Sequence, residues 1–109
     1  DRGVKLRDSL AFLEKAVELE PDNFAYLDSL GWAHFRLGRL ESAETLLGKA
    51  AGSSRNDATV LDHLGDVLAA RGKSAEAVSA YRTALQHGPE KPEEIRKKIR
   101  KLGSNPDEP

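Results

Sequence analysis

Apolar residues recur along this chain at helical spacing, in stretches broken by glycine, proline or polar turns. Leu27, Leu30, Gly31 and His34 fall at i, i+3, i+4 and i+7, and so do Leu61, Leu64, Gly65 and Leu68. Each set marks one face of a helix, with polar and charged residues around the rest. The pattern predicts six helices, over residues 6–20, 24–37, 41–51, 58–71, 75–87 and 92–102. Pro21-Asp22-Asn23 and Gly88-Pro89 interrupt the runs, and Gly38 and Gly72 each follow one. The expected fold class is all-α, built from antiparallel helix-turn-helix units.

Two of the predicted helices share more than a pattern. LDSLGW, from Leu27 to Trp32, is echoed by LDHLGD, from Leu61 to Asp66, at an offset of 34 residues. Gly38 then falls on Gly72, Ala43 on Ala77, Ala50 on Ala84 and Leu47 on Tyr81. One further step back puts Leu13 on Leu47 and Ala16 on Ala50. Glycine inside a helix costs about 1 kcal/mol against alanine. Its recurrence at Gly31 and Gly65 therefore implies close approach of another helix, and the small residues Ala43, Ala50, Ala77 and Ala84 suit the same purpose.

A 34-residue period with these residues resembles the tetratricopeptide repeat. Leu64-Gly65, Ala77, Tyr81, Ala84 and Pro89 match that family's pattern, as do Leu30-Gly31, Ala43 and Ala50. Leu47 stands where the family has an aromatic, His34 and Leu68 where it has tyrosine, and Arg55 where it has proline. The last departure, in GSSRND, predicts a looser turn between repeats. The resemblance implies a right-handed α-solenoid forming one domain over 1–103. Within it, 8–23 would be the second helix of a partial repeat, 24–57 and 58–91 full repeats, and 92–102 a capping helix. The cap has Pro92 at its start and a narrow stripe of Ile95, Ile99 and Leu102, with charged residues elsewhere. Residues 104–109 read as a disordered polar tail. At the front, Leu6, Leu10 and Leu13 are expected to lie uncovered. Further repeats of a longer array are favoured there over self-association as a dimer. The style of the repeats is similar to bacterial members of the family.

Composition excludes more than it selects. The 109 residues carry a net charge of −1 and no cysteine, so neither a global basic field nor thiol chemistry is available. No stretch has the roughly 18 apolar residues of a membrane span, so membrane insertion is not expected. Phosphate-loop, zinc-spacing and nucleophile-elbow motifs are absent, and no cofactor is expected. Arg96, Lys97, Lys98, Arg100 and Lys101 make the last helix basic, but no aromatic accompanies them for base stacking. That run reads as a solvated cap rather than a nucleic-acid contact. His63, with Asp62 beside it and Asp66 three residues on, is a weak candidate for a metal or acid–base site.

The resemblance also implies a function: scaffolding of protein–protein interaction, without catalysis, through a concave groove lined by the first helix of each repeat. With the Leu-Gly face turned inward, the groove positions are Asp28, Ser29, Trp32, Phe35 and Arg36, followed by Asp62, His63, Asp66, Ala69 and Ala70. Co-chaperones that resemble this fold hold a terminal carboxylate with Lys, Arg and Asn at such positions. Asp28, Asp62 and Asp66 would repel one, so no carboxylate-clamp ligand is expected. The expected partner is a protein or peptide, apolar with basic residues, anchored on Trp32 and Phe35.

Overall fold

The computed structural model describes residues 2–107, with side chains from residue 7 onward. It contains six helices: α1 Arg2–Leu19, α2 Phe24–Arg36, α3 Leu40–Ser53, α4 Ala58–Ala70, α5 Ser74–Leu85 and α6 Pro92–Lys101. There is no strand among the described residues. Five helices lie within about two residues of the sequence expectation, while α1 starts four residues earlier. Sequential helices pack on one another throughout, most extensively α2 on α3 and α4 on α5, and α2 also touches α4.

Two kinds of turn alternate, and the sequence explains both. Between helices of a pair, Gly38 and Gly72 share φ +79°. The next amide donates back five residues at each: Arg39 N–H to His34 O, and Lys73 N–H to Leu68 O, both 2.9 Å. Between pairs, a side chain starts the next helix. Asn23 Oδ1 accepts from the Ala25 and Tyr26 amides at 3.0 and 3.2 Å, and Asp57 Oδ1 from Val60 N–H at 3.1 Å. In the GSSRND turn Arg55 and Asn56 adopt φ 56° and 67°. The chain without proline thus passes through two left-handed residues in succession. Arginine is the more strained of the two, because the short polar side chain of asparagine can hydrogen-bond locally and tolerates the left-handed region.

The core runs the length of the stack. Leu27, Val60, Leu61, Tyr81, Ile95 and Ile99 belong to one continuous cluster, from α2 to α6. Gly31 and Gly65 sit where their partner helices cross most closely. A Cβ at Gly31 would stand 2.8 Å from Leu47 Cγ, and at Gly65 it would collide with the Tyr81 ring. The period extends into α6 with one change. Ile99 falls on Gly65, 34 residues back, and is fully buried. No further helix crosses α6 among the described residues, so isoleucine fills the place that glycine must leave open in α2 and α4.

The front end differs from expectation. Leu10 is buried and Leu13 half-buried, because Leu10 clusters with Leu30 and Ala33 of the next pair and Leu13 packs against that cluster. The exposed apolar side chains of α1 are instead Phe12, 69% exposed, and Leu19, 70%. The Leu6 side chain lies outside the described residues. At the other end, Arg82 Nη2 donates to Asn105 O at 2.9 Å and Asp107 N–H to Asn105 Oδ1 at 2.9 Å. The described part of the tail, 104–107, therefore folds back on α5, and 108–109 lie outside the described residues.

Candidate partner-binding face

The first helices α2, α4 and α6 stand side by side, and their polar faces form one continuous row. The row begins with aromatics. The Trp32 and Phe35 ring centroids lie 4.8 Å apart at 35°, and the His63 ring stacks on Trp32 at 4.2 Å and 27°. Trp32 and Phe35 are each half-buried. Phe35 packs partly on Leu47 and Val67 beneath it. Neither ring is a free surface anchor, and neither is consumed by the core. Arg36 is exposed beyond them, and exposed Ser29 faces the opposite side, toward α1.

His63 joins the two repeats. Its Nδ1 lies 2.8 Å from Asp28 Oδ1, across 35 residues of sequence. Burial alone would lower the imidazole pKa. The hydrogen bond and charge of Asp28, with Asp62 and Asp66 behind it, outweigh burial and hold it above the ordinary 6.5. This corrects the pairing expected from sequence. His63 is held by Asp28, not by Asp66, and no group of three His, Asp or Glu side chains is placed to bind a metal among the described residues.

The acidic end of the row is not free either. Lys98 of α6 reaches back to Asp62 Oδ1 at 2.8 Å and Asp66 Oδ1 at 3.1 Å. Tyr81 donates its hydroxyl to Asp66 Oδ1 at 2.6 Å, and Lys98 Nζ lies 5.7 Å from the Tyr81 ring centroid. Burial pushes the Tyr81 phenol up, and the Asp66 hydrogen bond adds to it. Burial opposes the Lys98 charge, but the two aspartates raise its pKa on balance. So the basic run of α6 is not uniformly solvated: Lys98 is turned into the row, and Arg96 pairs with Glu93 at 2.6 Å.

Lys98 is the residue that sequence reasoning missed. Stepping back by 34 aligns it with Leu64 and then Leu30, a packing position in both repeats. A lysine where the repeat demands leucine was the available signal. Beside it opens a cleft of about 450 Å³, lined by Asp66, Ala69, Ala70, Tyr81, Lys98 and Leu102 among others. His34, expected to pack, is half-buried at the edge of a second cleft with Leu30 and Leu46. Burial, aided by Arg39, lowers its pKa.

Six helices stacked in pairs, with a shared row of side chains across the first helix of each pair, define a helical-repeat protein. Folds of this class serve as scaffolds for protein–protein interaction, and such domains are in general non-catalytic. The chain belongs to the tetratricopeptide repeat-like domain family, whose model matches residues 24–104. It is similar to the TPR repeat-containing protein PA4667 of Pseudomonas aeruginosa, 38% identical over 66 residues. That match covers 61% of this chain and 11% of the length of that bacterial protein. Among solved structures, the first TPR of Spaghetti (RPAP3) bound to the HSP90 peptide SRMEEVD superposes with a TM-score of 0.85 at 22% identity, over 94% of this chain and 80% of that one. The Arabidopsis OM64 TPR domain gives 0.80 at 20% identity, over 92% and 84%. At these identities the likeness to solved structures shows the fold.

Proposed function

We propose that this chain is a non-catalytic scaffold segment that binds a peptide or partner helix along the face of α2, α4 and α6. The observation that carries the reading is the Trp32 indole, held in place yet half-exposed. Stacking on His63 and contact with Phe35 fix its orientation before any ligand arrives, which removes part of the ordering cost of binding. An apolar side chain would sit on Trp32 and Phe35. At the other end Asp28, Asp62 and Asp66 face Lys98 and His63, and that cluster by itself keeps a negative charge even with His63 protonated, while Lys101 lines the cleft beside it and Arg36 lies beyond the aromatics. Lys98 already neutralises part of it, so the preference for a basic partner is weaker than three free carboxylates would give. The solved neighbour bound to SRMEEVD holds an acidic peptide. The carboxylates of Asp28, Asp62 and Asp66 argue against seating acidic groups among them here.

Trp32 is the sole tryptophan, so its emission reports on the site directly. Titration with a set of extended peptides of equal apolar content, half basic and half acidic, should show saturable changes with the basic set. Trp32→Phe provides the spectroscopic blank. Trp32→Ala, followed by calorimetry, should weaken binding at least roughly tenfold, as an anchor residue does. Binding unchanged in Trp32→Ala, or preference for the acidic set, would overturn the reading.

A further inference from the structure

The two repeats differ in what fills the wedge between consecutive first helices. Between α2 and α4 the chain closes it with its own side chains. Phe35 and Leu64 pack there on the buried Leu47 and Val67. One period on, these four positions become Ala69, Lys98, Tyr81 and Lys101. All four line the cleft of about 450 Å³ between α4 and α6. Trp32 and Arg36 map onto Asp66 and Ala70, which line it too. The cleft is therefore the place of the Phe35 ring, one repeat later, left open because alanine stands where phenylalanine stood.

Its chemistry selects what fills it. Ala69, Ala70, Leu102 and the Tyr81 ring make the lining largely apolar. Asp66 and Lys98 are paired with each other at 3.1 Å, and the Tyr81 hydroxyl is held on Asp66 at 2.6 Å, so the polar groups of these walls are already engaged. Exposed Lys101 replaces buried Val67. An ammonium there is attracted to the face of an aromatic ring, and an aliphatic side chain offers it nothing comparable. A carboxylate entering the cleft would meet Asp66 as well as Lys101.

We infer that this cleft receives an aromatic side chain of the partner, phenylalanine in size, seated as Phe35 is seated between α2 and α4. The inference rests on the proposed peptide face and specifies its ligand. The first anchor, Trp32, is braced by His63 of α4, while the cleft lies between α4 and α6, one helix spacing further along the row. Packed helices lie about 8–10 Å apart, and an extended chain advances about 3.3 Å per residue. The matching segment carries an apolar residue and, about three residues away, an aromatic one.

Two measurements separate the cleft from the face as a whole. N-acetyl-phenylalaninamide probes the cleft without any peptide. It should shift the amide resonances of Ala69, Ala70 and Leu102 saturably, in roughly the millimolar range expected of so small a ligand. N-acetyl-alaninamide at the same concentrations should not. Ala69→Phe supplies the missing ring, and it should abolish the shifts at Ala70 and Leu102 without lowering the thermal midpoint. Lys101→Ala, a change at an exposed position, should weaken the aromatic amide about two- to fivefold. The second measurement compares basic peptides that bind through Trp32 and carry either phenylalanine or alanine about three residues from the anchor, toward either end. Phenylalanine should bind the wild type at least roughly tenfold tighter, and Ala69→Phe should not distinguish the two. Peptides that bind through Trp32 without this preference overturn the inference and leave the peptide face standing. So do an aromatic amide that causes no shift, shifts that persist in Ala69→Phe, and a lowered midpoint in that variant. An aromatic amide that binds the wild type but not Ala69→Phe, with peptides that do not bind at all, refutes the peptide face and keeps the cleft as an aromatic site.

Discussion

Gly65→Ala offers the sharpest test of how the two repeats pack. Alanine is the better helix former by about 1 kcal/mol, so propensity alone makes the substitution stabilising. The structure says otherwise. The new Cβ would lie 2.6 Å from Tyr81 Cδ1 and 2.8 Å from Cζ, with Cε1 closer still. Carbon atoms settle at about 3.5–4.0 Å, so the ring must retreat by roughly 1 Å. It has little room to do so, being only 2% exposed, and its hydroxyl is held on Asp66 at 2.6 Å. Overpacking of this kind costs about 1–3 kcal/mol. Stretching a hydrogen bond to a charged carboxylate adds about 1.5–3 kcal/mol if it is lost outright. Less the propensity gain, the net destabilisation is about 2–4 kcal/mol. At about 4–8 °C per kcal/mol, the midpoint should fall by more than about 8 °C. Gly31→Ala is the internal control. There the obstacle is Leu47 Cγ at 2.8 Å, and leucine can rotate where a tyrosine ring cannot, so the loss should be visibly smaller. Urea unfolding followed by circular dichroism, with Tyr81→Leu completing a double-mutant cycle, measures the coupling. Gly65→Ala that is neutral or stabilising, or a cycle with no coupling between Gly65 and Tyr81, would refute the close-packing account.

The inter-repeat link should be sensitive to pH. The folded His63 pKa stands above 6.5, so its contribution to stability is complete below pH 6.5 and is lost as pH rises through the folded value. His34 acts in the opposite sense: its lowered pKa means stability falls as pH drops below 6.5. Subtracting the urea midpoints of Asp28→Asn from those of the wild type isolates the His63 part. That difference should shrink toward alkaline pH, and a flat difference would discount the Asp28–His63 link. Lys98→Met keeps the aliphatic stem but leaves Asp62 and Asp66 facing one another uncompensated. With Lys98 about a third exposed, the loss should be about 1 kcal/mol, shrinking in high salt and largely relieved by adding Asp62→Asn. An equal loss at low and high salt would mean that packing, not charge, holds α6 in place.

The sequence by itself determined the architecture, because the fold is written in local and periodic terms. Helical spacing, Gly38 and Gly72 at the intra-repeat turns, and a 34-residue echo each need only neighbouring residues to be read. Gly31 and Gly65 even announced the tight crossings, since nothing else justifies two glycines in mid-helix. The partners of the face residues were decided only by tertiary structure. Asp28 and Asp62 occupy the same register and looked alike, yet one meets His63 and the other Lys98, because each faces the first helix of the following unit. Asp66 proved to be the acceptor for Tyr81 and Lys98 rather than an open carboxylate. Likewise Leu10 and Phe12 are both apolar residues of α1 on nearly opposite faces, and only the stacking of α2 against one of those faces buries the first and leaves the second exposed. Sequence fixes which face a residue occupies on its own helix. What lies opposite that face depends on the stacking of helices about 34 residues apart, and that is set by the packing of the whole array.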